Sequence, residues 1–312
     1  MSTGPSWTII GDGPWGRALA RVLSRNAQQV LLLGVKTSRR KLPAGVTHTT
    51  DAERALGASE RVVMALSMAD TERALEGLAA LFAGHHRIVT TARGLSPVSH
   101  LRASEAVYRL TCVRQVAALA GAADAEALKA DKPGALVVGS PFVSWAREIQ
   151  GAMVRPHLRV YTSDDLTGVE LADVLAHIMV IPVSIARALG AGAATEATAL
   201  TRALAESERL VKALGGHSGT AYGLAGLGVI TTLIFEGAGE GWMMGQHLAK
   251  GDVEKAMAVD PELAHGARAL AARAARQGVE TPMLKAVAGL LGGQFTAQQA
   301  LETLMRRAAR SE

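Results

Sequence analysis

Cysteine occurs once in the 312 residues, at Cys112, which excludes an internal disulfide and any metal site built on cysteine ligands. Aromatic residues are nearly as scarce, at 4% of a chain that is 49% hydrophobic, so alanine supplies much of the apolar content and the composition reads as helix-rich. No apolar run approaches the ~20 residues needed to cross a bilayer, so no membrane span is expected. The N-terminus lacks a charged region followed by an apolar one, and no secretion signal is expected there. With the lone thiol, this predicts a cytoplasmic protein. Excess charge is also small, since 33 basic against 28 acidic residues leave a formal +5. Basic and aromatic residues do not interleave, which argues against a nucleic-acid module. The C-terminal Arg306, Arg307 and Arg310 form either a basic patch or the solvated last turn of a helix.

What is present is organised around the stretch Trp7 to Gly16. A short apolar run, Trp7-Thr-Ile-Ile10, stops at Gly11, and Gly11, Gly13 and Gly16 follow in G-x-G-x-x-G spacing. A segment from Arg17 to Arg25 then carries Ala18, Leu19, Val22 and Leu23 at helical spacing. Strand, tight turn and helix in that order make a dinucleotide-binding unit, with Gly11 for the turn, Gly13 for close approach to a diphosphate and Gly16 for helix packing. Pro14 suits the first helical turn, where its missing N–H had no partner to lose. The free amides of that turn, spanning Asp12, Gly13, Pro14 and Trp15, would face the diphosphate. The competing reading is a glycine turn of purely architectural use.

A second strand is expected over Gln29–Gly34, and the end of such a strand usually carries an Asp or Glu for the ribose hydroxyls. Here Gly34-Val-Lys-Thr-Ser-Arg-Arg-Lys41 contains no acid. Lys36, Arg39 and Arg40 either receive a 2′-phosphate, favouring NADP over NAD, or form a solvated basic loop. Leu42–Thr49 reads as a Pro/Gly-containing loop, and Asp51 as the N-cap of a short helix. Near-continuous apolar runs at Arg61–Leu66 and Arg87–Thr91 fit a parallel sheet covered on both faces, and further strands are expected at 113–119, 135–138 and 158–162. Strands alternate with helices up to Ser163-Asp-Asp165, after which the pattern is helical throughout. The fold class is therefore α/β: an N-terminal Rossmann-type doubly wound sheet over 1–163 and a C-terminal all-helical domain over 164–312. Pro182 should kink the first long helix of that second half.

Several phrases together resemble the NAD(P)-dependent glycerol-3-phosphate dehydrogenase family. Gly11-Asp-Gly-Pro-Trp-Gly16 is similar to its G-x-G-x-W-G turn, Ala92-Arg-Gly94 stands at its K-G, and Gly168-Val-Glu-Leu-Ala172 matches its G-V-E-L-A. Leu200-Thr-Arg-Ala-Leu-Ala-Glu206 resembles I-T-R-G-L-A-E, and Gly223-Leu-Ala-Gly-Leu-Gly228 its G-L-A-G-L-G turn. The order and spacing hold from about residue 7 to 252. The resemblance implies a Rossmann domain plus a helical domain, an NAD or NADP cofactor, an active site in the cleft between the domains, a small-molecule substrate, and commonly a homodimer.

The same resemblance places the family's chemistry on residues that differ here. The K-G lysine is Arg93, and the lysine of A-L-K-N falls at Ala176 in Val174-Leu-Ala-His177. Ketone reduction needs a proton donor at the carbonyl oxygen, and alanine has none. The aspartate after G-L-A-G-L-G is Val229, and the R-N pair of S-R-N-R falls at Glu240-Gly241, where a carboxylate would repel a phosphate. G-P-S-F-A is only loosely matched by Gly121–Ala125. His177 is the remaining candidate for catalytic proton transfer, with a packing role as its alternative. In the substrate cleft, Arg93 keeps a positive charge, and Arg202 either holds an anion or pairs with Glu206 at i+4. Trp242-Met-Met-Gly245 is either an apolar contact surface, for instance for a protein partner, or simple helix packing. The reading is a pseudoenzyme or regulatory protein on this fold. The alternative is a divergent NAD(P)-dependent oxidoreductase acting on a carbonyl or alcohol other than dihydroxyacetone phosphate.

Overall fold

The computed structural model describes residues 7–25, 29–37 and 41–305. Arg39, Arg40 and the C-terminal Arg306, Arg307 and Arg310 lie outside the described residues. The chain divides into two units, Met1–Glu170 and Leu171–Glu312. The division falls seven residues beyond the expected 163/164 boundary, because Asp165 and Val169 pack against Gly139 of the sheet.

In the first unit β1 (Trp7–Ile10) is buried along its whole length and leads into α1 (Pro14–Ser24). Gly16, Ala18, Leu19, Ala20, Val22 and Leu23 give α1 a continuous buried face. β2 (Val30–Leu33) and β3 (Val46–Thr49) extend the sheet to one side. β3 corrects the expected loop over 42–49. Its Val-Thr-His-Thr sequence runs half-buried, exposed, half-buried and buried at the edge of the sheet, and the neighbouring Pro43 and Gly45 hid it. After α2 (Ala52–Gly57), capped by Asp51, the chain crosses to the other side of β1 and forms β4 (Arg61–Met64). α3 (Met68–Leu78), β5 (Arg87–Thr90), α4 (Ala103–Leu110), β6 (Gln115–Ala120) and α5 (Ala125–Lys129) follow. β7 (Gly134–Gly139), α6 (Val143–Met153) and β8 (Leu158–Ser163) complete the sheet.

The strand order is β3-β2-β1-β4-β5-β6-β7-β8. All pairings are parallel except β6 with β7, so β7 and β8 run against the others and the sheet is mixed rather than wholly parallel. The direction of winding reverses between β1 and β4, and in open α/β sheets such a switch point leaves a crevice beyond the carboxyl ends of the strands. Trp7 and Trp145 stack under this sheet with ring centroids 5.6 Å apart, and Leu19, Leu23, Val63 and Ile149 close the same core.

α7 (Leu166–Ala188) starts in the first unit and supplies the central helix of the second. Against expectation it is long and apolar enough to cross a bilayer. However, 83% of its apolar window is buried inside the protein, as in a core helix. Pro182 lies within it without ending it. α8 (Ala193–Ala213) follows, and a π turn over Leu224–Gly228 then opens into α9 (Val229–Glu236). α10 (Glu240–Ala249), α11 (Val253–Val259), α12 (Pro261–Arg276), α13 (Pro282–Leu291) and α14 (Ala297–Met305) complete the helical unit.

Candidate functional site

The glycine turn occupies the switch point. Gly11 N–H donates to Leu33 O at 2.9 Å and Ala65 N–H to Ile10 O at 2.8 Å, so the ends of β1, β2 and β4 meet around it. Gly11 has φ +112°, and a Cβ there would run into the Ala65 carbonyl. A Cβ on Gly16 would overlap the Gly11 carbonyl oxygen, so α1 is pressed onto the turn at that point. Gly13 differs from both. It is exposed, its φ is −68°, and a Cβ there would meet nothing within 4 Å. Nothing inside the fold requires glycine at 13, whereas a ligand lying against the backbone would. Gly13 caps α1 without a side-chain hydrogen bond, Pro14 follows it, and no acid occupies the first turn. The positive end of α1 therefore stays open for an anion, and this cradle fits the diphosphate of a dinucleotide. Trp15 is half-buried against the core below.

The side chains beside the turn are tied together. Arg17 donates through Nε to Asp12 O at 2.7 Å and through a terminal nitrogen to Asp12 Oδ2 at 3.1 Å. His48 on β3 brings Nε2 to 3.3 Å from the same Oδ2. Sequence reasoning named Asp12 but missed both partners. Lys36 is exposed, next to Val35, whose exposure is 95%.

The loop after β5 rises from the same edge of the sheet as the turn, since β4 and β5 are parallel. It carries Arg93, which is exposed, and is fixed at Ser96, whose hydroxyl donates to the Glu72 carboxylate and accepts from Val98 and Ser99 N–H. The Glu170 carboxylate, inside the Gly168–Ala172 phrase, accepts from Ser104 N–H at 2.8 Å and from Arg102 at 2.6 Å. Burial pushes the Glu170 carboxyl up, against the opposing pull of Arg102 and Ser104.

In the helical unit Ala176 and His177 are both buried on α7. α10 lies directly on this stretch. A Cβ on Gly241 would overlap the His177 carbonyl oxygen, and one on Gly245 would sit 2.6 Å from Ser184 Cβ and 2.8 Å from Ile181 O. Between the two glycines, Trp242 O accepts the Ser184 hydroxyl at 2.7 Å, and Arg187 lies 4.7 Å over the Trp242 ring. The Trp242–Gly245 stretch thus packs onto α7, although Met243 remains 46% exposed. Arg202 is exposed on α8. Glu206 instead turns inward and accepts Met283 N–H at 3.0 Å and Leu284 N–H at 2.7 Å, capping the start of α13.

Two family models match the chain: "NAD-dependent glycerol-3-phosphate dehydrogenase N-terminus" over residues 36–146 and the corresponding C-terminus over 165–302. The chain belongs to the NAD-dependent glycerol-3-phosphate dehydrogenase family. A glycerol-3-phosphate dehydrogenase (NAD(P)+) of Acidobacterium capsulatum is 32% identical, with 97% of this chain and 98% of the relative covered. One of Syntrophomonas wolfei is 31% identical over 99% and 96%. A crystal structure of glycerol-3-phosphate dehydrogenase from Coxiella burnetii superposes with a TM-score of 0.87 at 25% identity, covering 97% of this chain and 99% of that one.

Within the glycerol-3-phosphate dehydrogenase family frame, the retained phrases are the ones that build the fold. The Glu170 and Glu206 carboxylates of two of them bind backbone N–H groups at helix starts, on α4 and α13. The positions to which the resemblance assigned chemistry are the exposed Arg93, the buried Ala176 and Val229, and Glu240-Gly241 at the head of α10.

Proposed function

We propose that this member of the glycerol-3-phosphate dehydrogenase family binds NAD(P) at the Gly11–Gly16 turn and acts as a dinucleotide-dependent regulator that does not reduce dihydroxyacetone phosphate. It works in the cytoplasm, where the lone Cys112 stays a thiol. The observation that carries the reading is the seating of Gly241 on the His177 carbonyl, which leaves no room for any side chain at the position that the resemblance assigns to substrate-phosphate binding. The methyl of Ala176 supplies no proton, and Arg93 does not release one at neutral pH, so neither position that the resemblance assigns to a lysine offers a general acid. Gly13 supports the binding half of the reading, because an exposed glycine with ordinary φ leaves the backbone at the head of α1 open to a ligand. NADH and NADPH titrations followed by calorimetry, paired with a dihydroxyacetone phosphate reduction assay, test both halves. Micromolar dinucleotide binding without turnover is expected. Turnover by the unmodified protein overturns the regulatory half, and absence of binding overturns the other.

A further inference from the structure

We infer that Asp12 takes over recognition of the adenosine ribose and makes the site prefer a dinucleotide with a free 2′-hydroxyl to one with a 2′-phosphate. The inference rests on the dinucleotide reading above and names the cofactor form that the turn accepts. The end of β2 carries no acid, but the space that such an acid would use is filled. A Cβ on Gly34 would lie 2.6 Å from His48 Nε2, 2.8 Å from Asp12 Cγ and 2.9 Å from Asp12 Oδ2. The carboxylate therefore arrives from the glycine turn instead of from the strand.

Its orientation is fixed from one side only. Oδ2 receives both Arg17 and His48, while Oδ1 takes no hydrogen bond among the described residues, and the side chain is 32% exposed. A held carboxylate with one uncommitted oxygen is an acceptor for hydroxyl donors. Among the described residues, the nearest cations do not offer themselves to a phosphate. Arg17 is committed through Nε and a terminal nitrogen to Asp12, and the His48 side chain is only 7% exposed. Lys36 is exposed beyond Gly34, and among the described residues no contact holds it over the turn.

Calorimetric dissociation constants for NADH and NADPH, measured on the unmodified protein and on Asp12→Ala, Asp12→Asn and Lys36→Ala, test the inference. NADH should bind the unmodified protein at least about tenfold more tightly than NADPH, as expected for one charge-assisted hydrogen bond gained against one repelled phosphate. Both Asp12 variants should bring the two constants within about threefold of each other, and Asp12→Asn does so while preserving side-chain shape. Lys36→Ala should leave both unchanged. A ratio unaltered by the Asp12 substitutions overturns the inference alone. So does tighter NADPH binding that Lys36→Ala abolishes. Binding of neither dinucleotide by the unmodified protein overturns the dinucleotide reading and this inference with it.

Discussion

The glycines of the turn and the glycines of α10 look alike in the sequence and serve opposite ends. Gly11 and Gly16 let backbone press on backbone so that Gly13, between them, can stay open to solvent. Gly241 and Gly245 let α10 press on α7 over His177, Ile181 and Ser184, and nothing is left open between the two helices there. One pair builds a cradle, and the other closes a surface. At the helical end, the Gly241 position that the resemblance assigns to a polar side chain is taken up by contact between helices.

Breaking the closed end should give the largest effect. Gly241→Asn, which restores the amide that the resemblance places there, must push a side chain into the His177 carbonyl. Overpacking usually costs about 1–3 kcal/mol, and here the obstacle is backbone that cannot change rotamer, so about 3 kcal/mol or more is expected. The readout is the thermal midpoint of the variant. A midpoint within a degree of the unmodified protein would mean that α10 moves away easily and that the position is available to a substrate after all.

Gly13→Ala tests the open end, with a smaller effect of a different kind. A methyl at 13 meets nothing within 4 Å and φ is −68°, so stability should change by less than about 0.5 kcal/mol. Dinucleotide affinity should nevertheless fall about tenfold, because the methyl stands where the backbone approaches the diphosphate. Loss of stability without loss of affinity would make Gly13 an architectural residue like Gly11.

The sheet, the turn and the two-part organisation were legible because period and punctuation carry them. Apolar runs end at Gly11 and at Ser67, and G-x-G-x-x-G needs only local spacing to be read. Contacts between distant segments were not legible. His48 was hidden because Val-Thr-His-Thr is a short edge strand among turn residues, so its register beside Leu32 and its approach to Asp12 had no local signal. Glu206 was visible only as a possible i+4 partner of Arg202, while in the structure it accepts the Met283 and Leu284 amides far along the chain. The α10 glycines read as breaks, since a glycine buried against another helix and a glycine ending a helix have the same letter.

The smallest expected effect separates the two edges of the sheet in the first unit. Arg61 and Arg87 open β4 and β5, at the edge away from the turn, and both grip the Glu148 carboxylate of α6. Burial pushes the Glu148 carboxyl up, but the hydrogen bonds and charges of the two arginines outweigh it and hold it below its ordinary 4.5. A carboxyl lowered in the folded state stabilises the fold above the unfolded value, and that stability is lost as pH falls through the folded value. Glu148→Gln should therefore be less stable than the unmodified protein at pH 7, by under about 1 kcal/mol for so exposed a pair. The gap should shrink as pH falls below 4.5, which denaturant midpoints at pH 7 and pH 3 would measure. Dinucleotide affinity should not move, because the clamp and the cradle lie at opposite ends of the same strands. A change in affinity would mean that the sheet transmits strain from its charged edge to the turn, and the cradle would then be less self-contained than its backbone contacts make it.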